Sequence, residues 1–258
     1  MSTPGTPAPP SAEARRIALA TDFGSELYVG QMRLRLAAIL PGTPLADLIH
    51  DLPPFRPESA AYLLPALLRD LPAATLYLCV VDPGVGTCRA VLCVEADGSW
   101  LLGPDNGLLA LVARRATHCQ VWRLGWRPAW LSDSFHGRDL FVPLAGRLLA
   151  GEDVAAAALA SDRLVGADWP DEHLGIIYRD GFGNLMTGLR AEGVAREARI
   201  AVGRQQLTYA RTFSEAPLGA AFWYENALGL VELAVNQGVA SQVLGLDVGD
   251  PVRLLSGR

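Results

Sequence analysis

What this chain lacks narrows its chemistry before any motif is read. No apolar run reaches the roughly 18 to 20 residues of a bilayer-spanning helix, so no membrane association is expected. Met1 to Ala14 is rich in Pro, Ala, Ser and Thr and has no apolar centre, so it is not expected to be a secretory signal. Cations are not in surplus. The formal net charge is -5 over 258 residues, which argues against nucleic acid as the partner. Cysteine is scarce: Cys79, Cys88, Cys93 and Cys119 form no C-x-x-C pair, and two of them lie in apolar runs. A reduced, cytoplasmic protein with buried thiols is expected. No G-x-x-x-x-G-K-[ST] and no helix-opening G-x-G-x-x-G occurs, so nucleotide phosphates are not implied. No G-x-S-x-G elbow is present either. Asp22, His50, Asp82, Asp105, His136 and Asp139 are metal-ligand types, but H-E-x-x-H, H-x-H and D-x-D spacings are missing. Arg89 and Arg138 in the same set would repel a cation, so no metal is expected.

What the chain does have is polar punctuation at the ends of apolar runs. VVDPGVGTCR (Val80 to Arg89) delivers an acid and a cation to the end of a strand-like segment. TDFG (Thr21 to Gly24), GPDNG (Gly103 to Gly107) and SFHGRD (Ser134 to Asp139) share that character. In open α/β sheets, ligands sit at the rim where strands end.

The apolar pattern predicts strands over Ile17–Ala20, Leu45–Ile49 and Leu76–Val81. Helices are predicted between them, one carried by Leu27, Met32, Leu36 and Ile39, the other over Glu58–Leu71 with Pro65 inside. Such βαβαβ alternation favours a mostly parallel sheet flanked by helices. A hairpin follows around Asp97-Gly98, then a short helix over Leu108–Ala116, a strand over His118–Leu124 and a helix over Leu140–Ala150. After an Ala- and Asp-rich stretch from Glu152 to Asp171, only short strands and turns are read, the mark of a small all-β barrel or sandwich. The expected organisation is a disordered tail over 1–15, an α/β catalytic domain over 16–165 and a β-barrel domain over 173–258.

Two readings stand for each motif. Asp82, Arg89 and His136 could orient and activate a water molecule: a guanidinium favours a charged carboxylate, and imidazole exchanges protons near neutral pH. Equally, Asp82 could cap a turn, with Arg89 as its partner and His136 an ordinary loop residue. Asp22, Asp105 and Asn106 could grip a ribose diol or close Asx-turns. In RDGFGN (Arg179 to Asn184), Phe182 offers an apolar face for a purine, Asn184 offers donors and acceptors, and Asp180 could hold an ammonium. The plainer alternative is a Gly-rich hairpin loop with an aromatic plug.

Taken in order, VVDPGVGT-x-R, GPDNGL, FHGRD and RDGFGN resemble the S-adenosylmethionine hydroxide adenosyltransferase (S-adenosylmethionine hydrolase) family, which is related to fluorinase and chlorinase. The resemblance runs from about Ile17 to about Leu255. It implies an α/β domain followed by a β-barrel, and a homotrimer with substrate at the interface between neighbouring subunits. It implies that S-adenosylmethionine and water give adenosine and methionine without a cofactor. Asp82, Arg89 and His136 match the family's catalytic set. By the same resemblance Asp22 binds the ribose, Phe55 and Phe135 line the ribose and sulfonium region, and Asp180 meets the methionine ammonium. Phe182, Asn184 and the backbone near Val235 to Gly238 contact adenine, and Asn106 and Asn226 are further binding positions. Halogenases of this superfamily carry tyrosine where this chain has Asp82, and an anionic carboxylate would repel halide, so hydrolysis is expected over halogenation. Three positions depart from the family pattern. The Ser25-Glu26-Leu27 link is short, Gly188 replaces an asparagine, and Asn226-Ala227-Leu228-Gly229 lacks the usual serine. These leave open a protein that binds a nucleoside without turning it over.

Overall fold

The computed structural model describes residues 14–24 and 27–255. The expected tail over 1–15 falls almost wholly outside them, as do Ser25 and Glu26 of the short link. The chain divides into two compact units. One takes the described residues up to Ala61 and from Asp70 to Trp169; the other takes Tyr62–Arg69 and those from Pro170 onward.

The elements run in the order β1 (Arg16–Thr21), α1 (Leu27–Ile39), β2 (Leu45–Ile49), α2 (Pro57–Leu68), β3 (Thr75–Val80), β4 (Val91–Ala96) and β5 (Ser99–Pro104). They continue with α3 (Ala110–Arg115), β6 (Cys119–Leu124), a π-helical turn over Gly137–Phe141, α4 (Val142–Leu149) and β7 (Ala156–Leu159). The seven strands form one sheet in the order β2-β1-β3-β5-β4-β6-β7. β2, β1, β3 and β5 are parallel neighbours, and β4 runs against both β5 and β6. Most strands therefore point one way. Every residue of β3 is buried, as a strand covered on both faces requires, which is why it reads as an unbroken apolar run.

Two sequence expectations shift here. α1 buries Met32 and Leu36 as predicted, and Val29 with them, whereas Leu27 and Ile39 at the two ends of the predicted stripe are exposed. The Ala-rich stretch after Glu152 also carries β7, an edge strand antiparallel to β6.

The second unit holds β8 (His173–Arg179), β9 (Leu185–Arg190), β10 (Arg199–Val202), β11 (Gln205–Leu207), β12 (Ala221–Glu225), β13 (Leu230–Val235), the short helix α5 (Ala240–Leu244) and β14 (Arg253–Leu255). Its strands form two antiparallel sheets, β12-β13-β9-β8 and β11-β10-β14. They share one apolar core, with Ile176, Leu185, Trp223 and Leu233 from the first and Ile200 and Leu207 from the second. Where the sheets meet, the Ala210 amide donates to Trp223 O (3.0 Å) and the Trp223 amide to Thr208 O (3.0 Å). At the other seam the Ile176 amide donates to Asp250 O (2.9 Å) and the Val252 amide to Leu174 O (3.0 Å).

Candidate active site

β1, β3 and β5 are parallel, so their C-terminal ends lie on one rim. The chain leaves β1 toward β2 on one side and returns to β3 on the other. The crevice beyond β1 and β3 is therefore a topological switch point, where such sheets hold ligands. Asp22 immediately follows β1, and Asp82 comes two residues after β3. The Asp22 amide donates to Val80 O (3.3 Å), tying the two strand ends together.

Asp82 Oδ1 accepts from the Gly84 amide (3.1 Å) and from Arg89 Nη1, which also forms the ion pair. Among the described residues no donor is assigned to Oδ2. Asp82 lines a cleft of about 140 Å³ together with Phe23, Tyr28, Val80, Val85, Ser134, Phe135, His136 and Gly137. His136 is buried at the entry to the π-helical turn, a local widening of the helix that recurs at functional sites. Burial holds its imidazole below the usual pKa; the Asp82 carboxylate opposes that and the Arg127 guanidinium adds to it. The cleft therefore holds an uncharged base beside a paired carboxylate.

Three rings floor the cleft. Phe135 packs edge-on against Phe23 (5.8 Å between centroids) and Tyr28 (5.0 Å). Gly137 is needed below them: a β-carbon there would lie 3.0 Å from both Phe23 and Phe135. Phe23 and Tyr28 were missed by sequence reasoning, although Phe23 lies within the TDFG motif and Tyr28 follows it closely. Arg127 was missed as well, and nothing in its sequence context marks it.

The remaining predicted residues divide by role. Asp22 Oδ2 accepts from the Phe55 amide (3.4 Å), and burial raises the Asp22 pKa, with the Asp82 charge adding to the rise. Phe55 is 78% exposed and has a left-handed backbone (φ 61°), an uncommon state for a bulky residue. Asn106 Nδ2 donates to Val81 O (2.8 Å) and its Oδ1 accepts from the Leu108 amide (3.2 Å). Asn106 thus holds the strand end that presents Asp82.

In the second unit Asp180 closes its own turn. Oδ1 accepts from the Phe182 amide (2.9 Å) and the Asn184 amide (2.8 Å), and Oδ2 from Asn184 Nδ2 (3.0 Å). Phe182 projects from that turn, 82% exposed. Asn226 is similarly engaged: Oδ1 accepts from the Leu228 and Leu230 amides (2.9 and 3.0 Å), and Nδ2 donates to Glu232 (2.6 Å). Glu232, unremarked in the sequence, is a buried carboxyl whose pKa is raised by desolvation. The geometry brings Asp22, Asp82, Arg89, Asn106, Phe135 and His136 to one rim, and Asp180, Asn184, Asn226 and Glu232 to the second unit. Among the described residues no three His, Cys, Asp or Glu side chains cluster as a metal site would require.

Comparison with known proteins places these residues in context. Residues 17–158 match the model of the SAM hydroxide adenosyltransferase N-terminal domain, and residues 174–253 match that of the C-terminal domain. The chain is 38% identical over 262 residues to the (R)-S-adenosyl-L-methionine hydrolase of Thermus thermophilus, covering 93% of this chain and all of that one. A more distant relative is a fluorinase of Actinoplanes, 23% identical over 90% of this chain and 95% of its own. An uncharacterized conserved protein from Thermotoga maritima superposes with a TM-score of 0.81 at 28% identity, over 93% of this chain and all of that one. With both domain models matched in order across most of its length, the chain belongs to the SAM hydroxide adenosyltransferase family.

Proposed function

We propose that this chain hydrolyses S-adenosyl-L-methionine to adenosine and L-methionine. The observation that carries this reading is the convergence of Asp82, paired with Arg89, and His136 on one aromatic-floored cleft at the sheet's switch point. Water attacks C5′ of the ribose from the side opposite sulfur. The C5′–S bond breaks, its electron pair neutralises the sulfonium, and one proton leaves the water. His136, held uncharged by burial, accepts that proton. The Asp82 carboxylate stabilises the resulting imidazolium, and its Oδ2 orients the water. Fixing water in line with the C5′–S bond lowers the barrier through proximity, because sulfonium is already a good leaving group.

The rings of Phe23, Tyr28 and Phe135 suit the substrate's charge. A sulfonium cation is attracted to aromatic rings more strongly than a neutral thioether is, so the floor favours substrate over product methionine. Asp22 takes the ribose hydroxyls, Asp180 the methionine ammonium, and Phe182 and Asn184 the adenine. The working form is a homotrimer that needs no metal or other cofactor. The second unit is read as one barrel made of its two antiparallel sheets, a reading supported by the backbone hydrogen bonds between them.

Incubation with S-adenosylmethionine in EDTA, followed by chromatography, tests the reading: adenosine and methionine are expected in equal amounts. Asp82→Asn is expected to retain adenosine binding and to lose turnover by about 100-fold or more. Wild-type turnover in Asp82→Asn would remove the assignment. Adenosine binding by a wild-type chain without hydrolysis would favour the nucleoside-binding alternative suggested by Ala227.

A further inference from the structure

We infer that Arg127 is a positioning residue of this site: it fastens Arg89 through the backbone carbonyl and holds an unpaired cation near the cleft. The inference rests on the hydrolase reading above and extends it to a residue that no motif marks. Arg127 follows β6 on a segment pinned on both sides. The Gly125 and Trp126 amides donate to Ala155 O and Val154 O (both 3.1 Å), and Pro128 is buried. From there Arg127 Nη2 donates to Arg89 O (2.6 Å). That bond fastens the last residue of the DPGVGTCR loop, whose side chain pairs with Asp82.

The other nitrogen, Nη1, is buried with no hydrogen-bond partner, and among the described residues no carboxylate pairs with Arg127. A half-buried guanidinium without a counter-ion weakens a fold, so its presence beside reacting groups calls for a functional reason. His136 supplies one. Burial is the main cause that lowers the His136 pKa; the charges of Asp82, Asp133 and Asp139 oppose it, and the Arg127 charge adds to it. Arg138, the next cation along the chain, is engaged by Asp139 through two hydrogen bonds (2.7 and 2.6 Å) and leaves that role to Arg127.

The test compares wild type, Arg127→Gln and Arg127→Lys in two readouts. One is the titration of the His136 imidazole C2–H by NMR, assigned with a His136→Gln reference. The other is the pH profile of kcat on S-adenosylmethionine. Arg127→Gln is expected to move the His136 midpoint upward, carry the acid limb of kcat with it, and lower kcat about tenfold with KM nearly unchanged. Arg127→Lys keeps the charge but loses the planar fork, so the midpoint should stay near wild type while kcat still falls. An unmoved His136 midpoint in Arg127→Gln overturns the inference. Should that variant not fold, wild-type kcat in Arg127→Lys overturns it. The NMR titration needs no substrate, so it judges Arg127 even if wild type fails to hydrolyse S-adenosylmethionine, a result that would fall on the hydrolase reading.

Discussion

At position 84 a hydrogen atom decides where a cation lies. A β-carbon on Gly84 would overlap the Arg89 guanidinium, which rests on the turn while it pairs with Asp82. Gly84→Ala should therefore displace Arg89 and lower kcat by about tenfold, with little change in Tm because the loop is exposed and the guanidinium can swing into water. Unchanged kinetics in that variant would show that Arg89 works from elsewhere. His136 yields a prediction of opposite kind, in stability. Its folded pKa lies below its unfolded one, so the unfolded chain binds more protons as pH falls toward and below the ordinary imidazole value. The stability His136 contributes is present above about pH 6.5 and drains away on acidification. Melting curves at pH 7.5 and 5.5 should show a smaller drop in Tm for His136→Gln than for wild type. Much of this site was legible in the sequence, because Asp82, Arg89 and His136 sit in short motifs at strand and helix ends. Arg127 was not, since only tertiary structure brings its guanidinium to the Arg89 carbonyl. Asn226 and Asp180 show the converse: their motifs were visible, but how fully their polar atoms are committed to their own loops was not.

Strand pairing accounts for one of the departures from the family pattern. Gly188 on β9 sits opposite His173 on β8, and a β-carbon at 188 would come within 2.5 Å of His173 Cβ and 2.9 Å of its carbonyl oxygen. Glycine is thus required by the close approach of the two strands, with the His173 ring 5.1 Å from that of Tyr62 and tilted 31° to it. Gly188→Asn should force the strands apart and destabilise the second unit by about 1–3 kcal/mol, read as a lower midpoint in urea. A midpoint equal to wild type would show that the strands can separate freely. The elements most legible in the sequence were those with a strong apolar signature. β3 is one, buried along its whole length, and β13 is another. β7 was hidden because Ala-Ala-Ala-Leu has no alternation and too little apolar area to signal an edge strand. β9 was hidden because Gly188 interrupts it and because it follows the polar RDGFGN turn directly. The middle of the α1 stripe, Met32 and Leu36, was legible, but its ends were not, because apolar residues occur all round the helix and position alone does not tell which are covered.

Over the whole chain the cations are uniform: lysine does not occur, and all 22 basic residues are arginine. Arginine stays charged across any working pH, so pH effects on this protein belong to its acids, its four histidines and its thiols. Cys79 and Cys93 drop out of that set, because burial pushes both thiols up to about 12. The residues proposed for the site lie some in the first unit and some in the second. Phe55 in the first and Phe182 in the second present bare aromatic faces, each beside a carboxylate assigned to the substrate. Single exposed aromatics are ordinary on a protein surface, but the proposed homotrimer with substrate at the subunit interface would give both of them a ligand to cover. If that assembly is the working form, sedimentation should show three copies at micromolar concentration. Specific activity should then fall on dilution in step with dissociation, as mass action requires. Phe182→Ser should raise KM several-fold while kcat stays near wild type, because a purine-stacking ring binds ground state and transition state alike. A monomer with full specific activity at every concentration would sink the assembly and leave the cleft in the first unit to act alone.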